Sequence, residues 1–290
     1  MNGQGQPPAG DPKVRITWNL HWACNYRCEH CFFKGHWEEY GSRNVYRGAA
    51  EWESLWRRLL ERHGRAFILM TGGEPFLYPE FIDLLCRLTP MHWPINISTN
   101  ASRDLEEFVR RVDLSRVTLS PSFQPGHRSL EDFLKTVRFL RESRVQLGCI
   151  NFVAYPPVLE RLPEIAAALG AQGESLKVIP FVGEWQGRRY PDGYDEAQRR
   201  LLGMDGGWVE SKRRRGSLCA AGNRSALLLP DGSLTRCGQI GDAGIFGRVG
   251  DGAFPLMDVP KPCDAELCPC DEWKVLPDEQ SPAAPGAWLP

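Results

Sequence analysis

No apolar run in the 290-residue chain approaches the roughly 20 residues a membrane-crossing helix needs. The first residues, MNGQGQPPAGDP, lack the apolar core of a secretory signal. An excess of one charge is missing too. The 35 Lys and Arg nearly balance 36 Asp and Glu, for a formal net charge of −1. That balance supplies no electrostatic footprint for nucleic acid or an anionic bilayer. The expectation is a cytoplasmic protein with neither nucleic acid nor membrane as partner. What the chain does have is ten cysteines. A chain of this length can bury a core without covalent staples, so clustered thiols read as metal ligands rather than a disulfide framework.

Three of the thiols lie in Cys24-Asn25-Tyr26-Arg27-Cys28-Glu29-His30-Cys31, just after the strand-like run 13–20 (KVRITWNL). Three ligands are one short of a closed zinc site but suit a [4Fe–4S] cluster with one iron left open. Downstream, strand-like and helix-like stretches alternate. Trp52, Leu55, Trp56, Leu59 and Leu60 mark a helix face, and 66–71 (AFILMT) a buried strand running into Gly72-Gly73-Glu74-Pro75. Further strands are expected at 95–100, 116–120, 145–153 (VQLGCINFV) and 175–181, and Ser129 with Asp132 caps a helix. Six strand–helix steps imply an α/β fold, a partial (β/α)6 barrel with a parallel sheet and chemistry beyond the carboxyl ends of the strands. The Cys24–Cys31 loop and Gly72–Glu74 then fall on the same face.

The cysteine motif and the Gly72-Gly73-Glu74 turn together resemble the radical S-adenosylmethionine (radical SAM) superfamily. The resemblance implies that Cys24, Cys28 and Cys31 hold a [4Fe–4S] cluster whose open iron chelates the methionine end of SAM. An external one-electron reductant of flavodoxin or ferredoxin type would prime cleavage to a 5′-deoxyadenosyl radical. By the same resemblance Gly72, Gly73 and Glu74 meet the methionine amino group and His30 meets the adenine. Ser98, Asn100, Ser120 and Ser122, at strand ends, are candidates for the ribose or the methionine carboxylate. Gly148-Cys149-Ile150 loosely matches the family's Gly-x-Ile-x-Gly adenine strand, with Phe152 in place of the second glycine.

A second group of thiols follows. Cys219 and Cys237 bracket 224–229 (RSALLL) and Asp231-Gly232, which reads as a β-hairpin. The Cys219–Gly232–Cys237 spacing is similar to that of twitch and SPASM extensions. Cys263, Cys268 and Cys270 complete a set for one auxiliary [4Fe–4S] cluster, with a four-cysteine zinc site as the alternative. One thiol is spare. It and Cys149 are the candidate hydrogen-atom donors, Cys268 standing for the spare thiol, whereas Cys86 among leucines is structural. The expected organisation is a disordered 1–12, a barrel over 13–182, a linker or lid over 183–216, a cysteine-rich twitch-like extension over 217–272 and a tail over 273–290.

The expected activity is hydrogen abstraction from a small polar substrate (a sugar, aminocyclitol or antibiotic intermediate), ending in oxidation or epimerisation. Only about a dozen residues precede the first strand, which favours a small molecule over a leader-bearing peptide. Trp18, Trp22, Trp37 and Trp185 are candidates for stacking on a sugar ring. A peptide maturase or epimerase, a non-catalytic iron–sulfur carrier and a zinc-stabilised binding module are the rivals.

Overall fold

The chain alternates along its first strand: Val14, Ile16 and Trp18 of β1 (Val14–Asn19) are buried, while Arg15 and Thr17 between them are half-covered. In a strand such alternation assigns opposite faces to neighbouring residues. The computed structural model describes residues 12–268 except 33, 35, 205–209, 211 and 251–252. After β1 come α1 (Trp37–Ser42), α2 (Ala49–His63) and β2 (Ala66–Thr71). Then follow α3 (Phe81–Leu88), β3 (Ile95–Thr99), α4 (Glu106–Arg111), β4 (Val117–Pro121) and α5 (Leu130–Glu142). The four strands pair in parallel in chain order. All four show the same alternation, and their buried residues pack on α2, α3 and α4. The other face lines the barrel lumen. Ser129 caps α5 as expected, its hydroxyl accepting from the Asp132 amide at 3.1 Å.

The fifth strand departs from expectation. The run 145–153 is split into β5 (Gln146–Leu147), which pairs with β4, and β6 (Ile150–Ala154), which pairs with β7 (Leu176–Pro180). Leu147 and Ile150 both pack against the helix layer, so the intervening Gly148-Cys149 carries one residue too many for simple alternation. Gly148 has Ser120 Oγ 2.6 Å from where a Cβ would stand. The close approach needs glycine there, and an isolated bridge between Ser122 and Asn151 resumes the sheet one step higher. Between β6 and β7 lie a 3₁₀ turn (Pro156–Arg161) and α6 (Leu162–Gly170). The six strand positions and their helices make a partial (β/α)6 barrel.

Past β7, the segment read as a linker or lid contains the hairpin β8 (Gly183–Trp185) and β9 (Arg188–Tyr190), then α7 (Glu196–Leu201). The cysteine-rich extension follows with β10 (Leu218–Cys219), β11 (Ser225–Leu228), β12 (Ser233–Thr235), β13 (Ile245–Arg248) and β14 (Lys261–Pro262). The β11–β12 hairpin forms as expected. Its place was not foreseen: β11 pairs in parallel with β1, from Arg15 opposite Ser225 to Trp18 opposite Leu228. An eight-stranded sheet results, in the order β13-β12-β11-β1-β2-β3-β4-β5. The hairpin covers the open edge that an unclosed barrel would leave on β1. Among the described residues no helix is long and apolar enough to cross a membrane.

Trp18 is a core residue and not a sugar platform. It is fully buried, with ring centroids 4.5 Å from Trp52 and 5.1 Å from Trp56. Beneath Trp56 lies His92, also fully buried. Its Nδ1 accepts from the Ala66 amide at 3.0 Å, and its Nε2–H donates to the Trp56 carbonyl at 3.0 Å. Burial holds His92 down at about 4, against an ordinary 6.5. The unfolded chain therefore takes up this proton first. The stability contribution is intact above pH 6.5 and is lost as pH falls from 6.5 towards 4. The loss is expected to reach about 3 kcal/mol at the acid end. Urea midpoints at pH 7 and 4.5 check it: His92→Gln should flatten the difference, and an equally steep fall in the variant would assign it elsewhere.

Candidate active site

The loop carrying Cys24, Cys28 and Cys31 leaves the carboxyl end of β1 and is fastened to the turn after β2. Gly73 N–H donates to the His21 carbonyl at 2.7 Å, and Glu74 N–H to the Ala23 carbonyl at 2.9 Å. The two chains touch so closely that a Cβ at Gly72 would collide with the His21 carbonyl, and one at Gly73 with that of Ala23. Gly72 also has φ +124°, a conformation that suits glycine alone. The double glycine therefore brings the cysteine loop against β2.

Glu74 is turned inward, 1% exposed. Its Oε1 accepts from Thr99 Oγ1 at 2.6 Å and the Phe76 amide at 3.2 Å, and its Oε2 from the Asn100 amide at 2.7 Å. Burial pushes its carboxyl above the usual range, against the pull of those donors. The carboxylate ties β2 to β3. The Gly72 and Gly73 carbonyls, which accept no hydrogen bond among the described residues, are further acceptors of the same turn. His21, fully buried, donates from Nε2 to the Glu74 carbonyl at 2.8 Å and locks the turn from behind. Nothing in the spacing of the sequence marks His21 or Thr99 for these tasks.

Asn100 also meets the cysteine loop. Its Nδ2 donates to Asn25 Oδ1 at 3.0 Å and reaches Cys24 Sγ at 4.0 Å, while the Tyr26 amide lies 3.4 Å from the same sulfur. Burial, then the neighbouring Cys31 and Cys24, push the Cys28 thiol up to about 12. A cationic cluster held by the three thiols would ionise them. Three thiolates are one ligand short of a closed zinc site and suit a [4Fe–4S] cluster with one iron left open.

His30 lies at the rim of the lumen, Nε2 2.7 Å from Gln124 Oε1 and its ring 5.5 Å from that of Tyr155, positioned to flank a planar base. Ser98 and Ser120 sit side by side on β3 and β4, half-buried and facing the lumen. Ser122 does so one step higher, and Ser120 Oγ accepts from Asn96 Nδ2 at 2.9 Å. Ile150 is wholly buried in the core with Phe152 and Ile165. Cys149 is half-buried and belongs to neither barrel core cluster, whereas Cys86 packs against one and reaches the Arg111 carbonyl. Trp22 is buried beside Tyr40, Trp37 lies under Arg27, and Trp185 meets Tyr155.

In the extension, Cys219 and Cys263 are packed together with Ala221 and Ala265. β10 pairs with β14, and the Cys263 amide donates to the Ser217 carbonyl at 2.8 Å. Arg236, beside Cys237, joins the three segments. It donates to the carbonyls of Ala221, Lys261 and Pro262 and pairs with Asp264 at 2.6 Å. Cys268 is buried, its amide bonded to the Lys212 carbonyl at 2.7 Å. Cys270 lies outside the described residues.

Comparison with known proteins agrees with this geometry. The model of the radical SAM superfamily matches residues 19–169, and the chain belongs to that superfamily. It is 33% identical over 96 residues to an S-adenosylmethionine-dependent nucleotide dehydratase of Thermoplasmatales archaeon (strain ISO4-H5), covering 33% of this chain and 32% of that protein. It is 28% identical over 102 residues to the mycofactocin maturase MftC of Mycobacterium tuberculosis, covering 35% and 25%. The matches thus span a third or less of either relative's length. The fold is similar to that of Streptococcus suis SuiB bound to its precursor peptide SuiA, with TM-score 0.56 and 17% identity over 83% of this chain and 62% of that one.

Proposed function

We propose that the protein abstracts hydrogen from an unactivated C–H bond of a small polar molecule, with oxidation or epimerisation as the outcome. The observation that carries this reading is the joining of the Cys24–Cys31 loop, the Gly72–Glu74 turn and the end of β3 at the rim of a polar lumen. Cys24, Cys28 and Cys31 would hold the [4Fe–4S] cluster, and the Gly72 and Gly73 carbonyls would accept from the methionine ammonium of SAM. When bound, the cluster and SAM supply a 5′-deoxyadenosyl radical through one-electron cleavage of the sulfonium.

The chain's own residues do the rest. Asn100 and the Tyr26 amide orient Cys24; His30 flanks the adenine; Ser98, Ser120 and Ser122 hold the ribose and carboxylate. Cys149, at the break in the fifth strand, is the proposed donor of a returning hydrogen atom in an epimerisation, with Cys268 as its rival. The lumen supports a polar substrate: Thr17, Thr71, Asn96, Ser98, Thr118 and Ser120 line it half-exposed on β1 to β4, with Phe67 and Leu69 as the apolar part of β2. An aromatic–aliphatic lining would have favoured an apolar one. A nucleotide dehydratase among the relatives is consistent with a small substrate. The second reading, a peptide maturase, rests on the maturase relative and on the fold shared with a peptide-bound enzyme.

We further propose that Cys219, Cys237 and Cys263, with Cys268 or Cys270, hold an auxiliary [4Fe–4S] cluster. Iron and sulfide counting after anaerobic reconstitution tests this. Wild type should carry about eight irons, Cys219→Ala about four with SAM binding intact, and the Cys24/Cys28/Cys31 triple alanine variant about four without it. Unchanged iron in Cys219→Ala, with zinc present, would turn the extension into a structural zinc unit and remove the oxidative outcome. Absence of 5′-deoxyadenosine from reduced wild type would overturn the enzyme reading.

A further inference from the structure

The barrel strands β1 to β7 contain two cations, Arg15 and Lys177, and not a single carboxylate. Arg15 lies at the amino-terminal floor, its guanidinium 5.3 Å from the Phe67 ring. Lys177 lies higher. It is the second residue of β7, level with Asn151 on β6 and, through Asn151, with Ser122 just past the end of β4. The face it occupies follows from register. Leu176 and Val178 on either side pack into the helix-side core, as do Ile150 and Phe152 flanking Asn151. Lys177 and Asn151 therefore both point to the lumen.

Neither side chain has a hydrogen-bond or ion-pair partner among the described residues, although Asn96 and Ser120 on the same lumen wall satisfy each other at 2.9 Å. Lys177 is exposed and Asn151 half-buried. An ammonium beside an unpaired amide, on strands that carry no carboxylate, suits an oxyanion; the carboxylate at the rim, Glu29, is taken by Tyr155 Oη at 3.3 Å and Lys34 at 3.7 Å. The proposed ribose and carboxylate contacts of SAM end at Ser122, the bridge partner of Asn151, so the pair would stand beside the cofactor.

We propose that Lys177, with Asn151, binds an oxyanion of the substrate, a carboxylate or a phosphate, and so selects an acidic small molecule over a cationic one. The inference rests on the radical SAM reading of the same lumen. It narrows that reading: aminocyclitols become poor candidates, and sugar acids or phosphorylated compounds good ones.

The test uses reconstituted, SAM-loaded enzyme with acetate, inorganic phosphate and neutral glycerol as probes, followed by ¹H and ³¹P line broadening. Wild type should broaden acetate or phosphate well beyond glycerol. Lys177→Gln should weaken that binding about tenfold, whereas Lys261→Gln, on the exterior extension, should leave it unchanged. Acetate alone responding identifies a carboxylate, phosphate alone a phosphate. Equal broadening in wild type and Lys177→Gln would overturn the proposal, as would no broadening beyond glycerol. A loss of SAM affinity in Lys177→Gln would overturn it differently, by assigning the cation to the cofactor. Failure of the underlying reading is separable, since it appears as absence of 5′-deoxyadenosine from reduced wild type whatever the anions do.

Discussion

Cys28→Ala is expected to lower 5′-deoxyadenosine formation under reducing, anaerobic conditions by more than about a thousandfold, about 4 kcal/mol in the barrier. Cys28 is the middle thiol of the three. Cys24 and Cys31 both act on it electrostatically. With two thiols left, the cluster loses one of its three protein anchors, and the open iron that should receive SAM is no longer distinguished from the others. The polypeptide should tolerate the change, because Cys28 is half-buried on a loop and belongs to no apolar cluster. Cys86→Ala is the control: its thiol reaches only a main-chain carbonyl on the outer helix layer, and cleavage should persist. Retained cleavage in Cys28→Ala would remove the site from this loop.

Gly73→Ala is expected to cost about 3 kcal/mol or more and to abolish SAM binding with it, as an overpacking that main-chain atoms cannot relieve. The new methyl would meet the carbonyl of Ala23 and the carbonyl carbon of Trp22, none of which can swing aside as a side chain would. Either the turn after β2 or the cysteine loop must move, and the bond from Glu74 N–H to Ala23 goes with it. Urea denaturation and SAM binding together read this out. Gly170→Ala, at the end of α6 with open space around it, should be neutral or mildly stabilising. A Gly73→Ala protein with wild-type stability and SAM affinity would mean that the close approach is not needed.

The barrel was legible because its signals are local. Near-continuous apolar strands, the helix face of Trp52 to Leu59 and the Ser129 cap each need only neighbouring residues. The meeting of the cysteine loop with Gly72-Gly73 followed from topology, since both succeed strands of one parallel sheet. Less legible are side-chain directions that depend on a distant partner. Glu74 bonds to Thr99 and Asn100 of the β3 end, and Asn100 to Asn25 of the cysteine loop, contacts no spacing announces. The slip at Gly148-Cys149 sets Ile150 in the core beside the helices. The Arg236 clamp was adjacent to a named cysteine, and only the fold shows that its four bonds gather three segments.

The pairing of β11 with β1 has a temporal meaning. Arg15 and Ser225 are about 210 residues apart. At the usual pace of translation, β1 leaves the ribosome roughly 10 to 40 seconds before its outer neighbour exists. During that interval β1, with its Val14, Ile16 and Trp18, offers an unpaired edge to another nascent copy. The cysteine-rich segment is therefore a late-arriving cover for the oldest part of the sheet. Any condition that delays it, such as iron starvation if its thiols must first be metallated, would be felt as aggregation of the barrel before it was felt as lost chemistry.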